Sequence, residues 1–265
     1  MSLLPHISID FVMRVNEDHI DIQHDGLIAQ NVQGFRYFAL KETTSVEKNI
    51  SEFAKKNNGI TISDQPDSLQ IYNDPFSTIP LYIAKANNNE IVVWSNFEHV
   101  YTLRTPSFTI DKVGFWEILL FEAGVGTRTL FKEVKQLPSA SFITINKRKG
   151  EYSIDRYWDF NIAEETSITS LTEAAQGLHE RLDTVFKALD DSQQYLLGVS
   201  GGMDSRLTLA YLNKHLPKEH VHTFTFGYDA RVLDYEYAKN VCKVLGRSMP
   251  DFYEITDKVY QESID

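Results

Sequence analysis

The stretch Tyr195–Leu207, YLLGVSGGMDSRL, constrains the fold more than any other. An apolar run, Tyr195–Val199, ends in Ser200-Gly201-Gly202 and passes directly into a helical pattern over Asp204–Leu212. A strand joined to a helix by glycines is a βα unit, and one such unit cannot bury both faces of its strand. Its neighbours continue the pattern. Leu171, Ala175, Leu178, Leu182, Val185, Phe186 and Leu189 fall on one face of a helix. Val221–Phe226 reads as a strand, Asp234–Leu245 as a helix ended by Gly246, and Phe252–Ile255 as a third strand. Strands alternating with helices through short connections predict a parallel, doubly wound α/β sheet with helices on both faces.

The loop itself suits an anion. Glycines let the backbone approach a ligand closely, successive N–H groups converge on its oxygens, and the helix dipole adds positive potential. Ser200 and Ser205 add hydroxyls, and Arg206 adds charge if it turns inward. No Gly-Lys-Ser/Thr follows, so the loop is not a Walker A sequence, and it is not Gly-x-Gly-x-x-Gly either.

The first 150 or so residues differ in character. Ile7, Ile9 and Phe11 alternate with polar neighbours, as do Ile20 and Ile22 before Asp25-Gly26. Leu81–Ala84 and Ile91–Trp94 flank Asn87-Asn88-Asn89, and Phe142–Ile145 and Tyr152–Ile154 flank Lys147–Gly150, which predicts two hairpins. Helices are predicted around Val46–Lys56 and Asp111–Glu122, the latter capped by Asp111. The change of pattern after Ala163–Ser170 divides the chain into domains of residues 1–165 and 166–265. A formal net charge of −11 argues against nucleic acid or an anionic membrane as partner. No apolar run approaches membrane-spanning length and no signal-peptide core opens the chain, so a cytoplasmic location is expected. The single cysteine, Cys242, shares a helical face with Ala238, Val241 and Leu245 and reads as a buried thiol. The histidines lack metal-binding spacing, and Asp190-Asp191 reads as a solvated loop. Glu236, after the strand Val221–Phe226, is the acid best placed to face a ligand.

Ser200-Gly201-Gly202-Met203-Asp204-Ser205 resembles the PP-loop of the N-type ATP pyrophosphatases, which split ATP into AMP and pyrophosphate while activating a substrate. Asn73-Asp74-Pro75-Phe76-Ser77-Thr78-Ile79-Pro80-Leu81-Tyr82 resembles the R-D-x-x-G-x-x-P-L-Y-Y segment of the asparagine synthetase family. Trp94-Ser95-Asn96, Gly126–Phe131, Leu137-Pro138 and Tyr157-Trp158 follow in that family's order, as do Phe224–Gly227, Asp234, Glu236, Ala238 and Leu245-Gly246. The resemblance implies an N-terminal Ntn-type α-β-β-α sandwich followed by the first part of an adenine-nucleotide α-hydrolase-like domain. It implies ATP and Mg2+ as cofactors. Ser200, Gly201, Gly202, Asp204 and Ser205 would hold the pyrophosphate end of ATP, Asp204 through Mg2+, and the backbone at Gly198 and Phe226 would meet the adenosine. Arg206 departs from the serine common in asparagine synthetases and leaves the acceptor acid open.

Glutaminase-active relatives begin at a cysteine nucleophile whose own α-amino group acts as base. Residue 2 is serine here, followed by Leu3-Leu4-Pro5, so the first domain is expected to keep the sandwich without that chemistry. The chain supplies three strands of the nucleotide-binding sheet and lacks the family's downstream S-G-x-G-x-D-E, so it is expected to be a fragment, inactive alone, of a longer protein. The implied function is amide-bond formation through an acyl-adenylate, with a small-molecule carboxylate acceptor, a nitrogen donor and a homodimeric assembly. The alternative is a non-catalytic nucleotide-binding or assembly module.

Overall fold

In the computed structural model, which describes residues 10–17, 19–25, 27–32, 35–39, 49–86, 90–101, 108–159, 168 and 170–262, the chain divides into units Met1–Ile162 and Ala163–Asp265. The first unit holds two antiparallel sheets. One runs β2 (Ile20–Asp25), β1 (Asp10–Val15), β8 (Ile91–Trp94), β7 (Tyr82–Lys85), β9 (Lys135–Gln136). The other runs β11 (Glu151–Arg156), β10 (Ser141–Asn146), β6 (Ser68–Tyr72), β5 (Ile60–Asp64), β4 (Phe35–Ala39), β3 (Ile28–Val32). Alternation explains how they face each other: Phe11, Met13 and Val15 of β1 are buried, as are Ile143 and Ile145 of β10, and all join one core with Ile62, Ile71, Ile83 and Val93. Phe11 meets Phe38 edge-on across that core, with ring centroids 5.2 Å apart.

Every residue of β8 is buried because both its faces are covered. Ile91 and Val93 enter the core between the sheets, whereas Val92 and Trp94 pack outside with Val100 and Val134. Helix α1 (Ile50–Lys56) covers the outer face of the six-stranded sheet, with Phe53 against Tyr37 and Ala39. Its first turn is capped by Asn49, so within the described residues the helix predicted from Val46 begins at Ile50. Helix α2 (Lys112–Phe121) is capped by Asp111 as predicted. Both predicted hairpins form, with Tyr82 opposite Trp94 and Ser141 opposite Arg156. The alternation at Ile7 and Ile9, and the turn residues Gly26 and Asn87–Asn89, lie outside the described residues.

The second unit holds a parallel sheet in the order β12 (Tyr195–Gly198), β13 (Val221–Gly227), β14 (Asp251–Glu254). Helices α3 (Leu171–Lys187), α4 (Met203–His215) and α5 (Leu233–Val244) share one core: Phe186, Leu209, Leu212, Ala238 and Cys242 pack on Leu197 and Val221. A short α6 (Asp257–Glu262) follows β14. Helices on both faces were expected, but α3, α4 and α5 lie on one face. Strands laid down in sequential order by same-handed crossovers place successive helices on the same side. The opposite face carries Leu196, Phe226 and Tyr253, all exposed.

The apolar face predicted for α3 is also only partly buried. Leu171, Leu178 and Val185 are exposed, and the seam toward α4 is aromatic and polar. Phe186 stacks on Tyr211 with ring centroids 5.2 Å apart, and Asp183 meets Lys214 Nζ at 2.5 Å and His215 Nε2 at 2.7 Å.

Candidate functional site

The loop between β12 and α4 lies at the carboxyl end of the parallel sheet, where ligands of such sheets bind. Strand pairing fixes its entry. Val199 N–H donates to Phe224 O at 2.8 Å, and the buried Thr225 hydroxyl donates to Val199 O at 2.7 Å. Gly198 sits opposite Phe224, and a Cβ there would stand 3.3 Å from the Phe224 ring. Phe226, two residues on, is 59% exposed on the same strand.

Beyond that entry the loop holds its own backbone in shape. Ser200 N–H donates to Ser205 Oγ at 3.1 Å, and Gly202 N–H donates to Ser200 Oγ at 3.1 Å. The two hydroxyl oxygens are 3.2 Å apart. The residues predicted to bind together are therefore brought together: Ser200, Gly201, Gly202 and Ser205 form one closed turn. No side chain caps the first turn of α4, whose N-cap is Gly202. Its leading N–H groups point out of the helix with the positive end of the dipole behind them. Asp204 stands exposed in that first turn. Arg206 folds back, its Nε donating to Gly202 O at 3.0 Å, which carries its charge to the loop.

The acid that reaches the loop is Asp234, not Glu236. Gly201 N–H donates to Asp234 Oδ1 at 2.8 Å. A Cβ on Gly201 would lie 2.9 Å from that oxygen and 2.8 Å from Tyr237 Cδ2, so this approach requires glycine. Glu236 instead pairs with Lys239 one turn along α5. In sequence Asp234 reads as a first-turn carboxylate at a position matching the family's order, with no sign that it reaches the loop. Its contact depends on how α5 lies beside the β12 turn, 33 residues away.

The other singled-out residues are structural. Asp190 Oδ1 accepts Ser192 N–H at 2.9 Å and Ser192 Oγ at 2.7 Å, closing the turn before β12. Cys242 is fully buried, its Sγ 3.7 Å from Thr223 Oγ1. Among the described residues no group of three or more His, Cys, Asp or Glu is arranged to hold a metal ion, and no helix is long and apolar enough to cross a membrane. Ser2 lies outside the described residues.

In the first unit, the segment from Asn73 to Tyr82 is a buried polar knot. Asp74, fully buried, accepts Phe76 N–H at 2.9 Å, Thr78 N–H at 3.1 Å and the Thr78 hydroxyl at 3.1 Å. Asn73 Nδ2 donates to Pro138 O at 2.7 Å, and Tyr157 Oη donates to Asn73 O at 2.7 Å. Burial first, and then the Asp74 carboxylate, raise the phenol pKa of Tyr37 to about 12 and push that of Tyr157 up as well. Ser77 takes a left-handed φ of 48° at the position where the motif it resembles has glycine.

The asparagine synthase family model matches residues 178–259, a segment from within α3 to within α6 that contains the loop and Asp234. No curated protein matches the chain. Among solved structures, the glutamine phosphoribosylpyrophosphate amidotransferase of B. subtilis, complexed with ADP and GMP, aligns with a TM-score of 0.29 at 9% identity, over 98% of this chain and 87% of that chain. Likeness at that level carries no argument.

Proposed function

With residues 178–259 matching the asparagine synthase family model, we propose that the chain carries the ATP site of an ATP-dependent, amide-forming ligase. A substrate carboxylate attacks the α-phosphate of ATP, forming an acyl-adenylate and releasing pyrophosphate. A nitrogen nucleophile then attacks the acyl carbon and AMP leaves. The observation that carries this reading is the uncapped first turn of α4 directly after the closed Ser200–Ser205 turn, at the carboxyl end of β12, inside the matched segment.

In this reading Ser200, Gly201, Gly202 and Ser205 receive the pyrophosphate end of ATP, with the α4 dipole and Arg206 offsetting its charge. The exposed Gly198, against which the Phe224 ring packs, and the exposed ring of Phe226 on the paired strand would meet the adenosine. Asp204 fits a hard cation: its carboxylate is exposed at the loop and engaged by no hydrogen bond or ion pair among the described residues. Mg2+ held there would neutralise charge that builds on the departing pyrophosphate. The two packed sheets of the first unit suit an Ntn-type sandwich.

A nucleotide-binding module without chemistry is the second reading. It is favoured by the in-chain acceptors already engaging the N–H groups of Ser200, Gly201 and Gly202. ATP–pyrophosphate exchange, screened against small carboxylic acids in the full-length protein, decides between them. The ligase shows acid-dependent exchange that Asp204→Ala abolishes. Nucleotide binding without exchange leaves the module, and no change on Asp204→Ala rules out the ligase.

A further inference from the structure

Resting on that pyrophosphate reading of the loop, we propose that Asp234 is an internal competitor for the phosphate: its carboxylate occupies the Gly201 N–H that a phosphate oxygen would otherwise take, and so weakens the loop's grip on free pyrophosphate. At 2.8 Å the Gly201–Asp234 bond is a charge-assisted hydrogen bond at full strength. One N–H has one proton to donate and cannot serve both anions.

The position of Asp234 supports this. It stands in the first turn of α5, where a carboxylate commonly caps its own helix, yet no side chain caps α5 and Asp234 reaches across to the β12 turn instead. The turn admits it because Gly201 has no side chain to keep it out. Neither lysine of α5 pairs with it: Lys239 is taken by Glu236 and lies 4.8 Å from the Tyr235 ring centroid, and Lys243 stands in the last turn, at the other end of the helix. Among the described residues no Lys or Arg forms an ion pair with the carboxylate, and the one cation held at the loop, Arg206, bonds Gly202 O instead. A phosphate entering the loop must displace it or lie against it, and like charges in contact weaken binding. ATP, held also through its adenosine, tolerates that penalty better than pyrophosphate alone. Asp234 therefore biases the site against retaining the product of the first step.

The test is metal-free binding of inorganic pyrophosphate, measured by titration calorimetry in EDTA on the wild-type chain, Asp234→Asn and Asp234→Ala, with thermal melts confirming that each variant is folded. Removing the carboxylate should tighten binding by about tenfold in Asp234→Ala and by less in Asp234→Asn, which keeps an acceptor oxygen. The Gly201 amide resonance should move upfield in Asp234→Ala and return downfield as pyrophosphate is added. Unchanged or weaker binding in both variants would overturn the proposal and make Asp234 a positioning residue for the loop. ATP with Mg2+ separates the two failures. If wild type binds it while the variants gain no pyrophosphate affinity, competition alone is refuted. If no protein binds either ligand, the nucleotide reading falls as well.

Discussion

The buried carboxylate of Asp74 accepts the backbone N–H of Gly59 at 2.9 Å, tying the end of α1 to the turn that follows β6. The same carboxylate serves Phe76 and Thr78, so one charge satisfies donors from two separate loops. Asp74→Asn would replace an acceptor oxygen with an NH2 group facing those donors. The first unit should lose about 2–4 kcal/mol, as expected when buried bonds to a charged acceptor are broken. Urea denaturation followed at the first unit's tryptophans measures this, and a loss under about 0.5 kcal/mol would contradict the role of Asp74 as a knot.

Ser77, in the left-handed region, gives a second test of the same turn. Its hydroxyl accepts from Asn73 Nδ2 at 2.8 Å, so the side chain contributes a bond while the backbone bears strain. Ser77→Ala loses the bond and keeps the strain; Ser77→Gly loses the bond and relieves the strain. The alanine variant should be the less stable by about 1 kcal/mol. Equal stabilities would mean that the φ value is not costly here.

Acid should act on the seam between α3 and α4. Hydrogen bonds from Lys214 and then His215 hold the Asp183 pKa down at about 2, below its usual 3.8. A depressed carboxylate contributes stability that is present above its unfolded pKa and is lost as pH falls through the folded value. The second unit should therefore weaken between about pH 4 and pH 2, and Asp183→Asn should flatten that decline while lowering Tm at neutral pH by a few degrees. Melting curves of both proteins across pH 2–7 check this, with parallel curves as the contrary result.

How far the sequence foretells this arrangement depends on whether a feature is local. The turn from Tyr195 into α4 is legible because period, glycines and helix start coincide within thirteen residues. Asn73, Pro138 and Tyr157 resemble family positions chiefly by their order, and the hydrogen bonds that join them give that order a physical basis. Strand β5 is not legible, because it buries Thr61 and Ser63 alongside Ile60 and Ile62 and so shows no contrast between its faces. The exposed Leu171, Leu178 and Val185 show another limit: periodicity marks an apolar face but not what covers it. The contact of Asp234, itself named by its place in the family's order, is hidden for a third reason, since its partner Gly201 belongs to a different βα unit.

That correction separates the two acids of α5. Glu236 engages Lys239 on the helix surface rather than a group of the loop, so Glu236→Ala should change ATP affinity by less than about twofold. Ser205→Ala removes the acceptor of Ser200 N–H and should weaken ATP binding by about tenfold. Fluorescence titration with a labelled ATP analogue measures both. A large effect at Glu236 would return it to the site.

Cys242 provides a probe of how the second unit opens. It is fully buried between α5 and β13, beside Ala238 and Val221 and within 3.7 Å of the Thr223 hydroxyl. A thiol without solvent access reacts only when the surrounding structure opens, so its modification rate reports the opening equilibrium. Native protein should react with a disulfide reagent at least about a hundredfold more slowly than urea-unfolded protein. Binding of ATP with Mg2+ should slow the native reaction further, because a ligand that binds only the folded state lowers the open population. Asp183→Asn, by loosening the α3–α4 seam that packs on the same core, should speed it. Fast labelling of the native protein, unaffected by nucleotide, would show that α5 does not close over β13 as it does here.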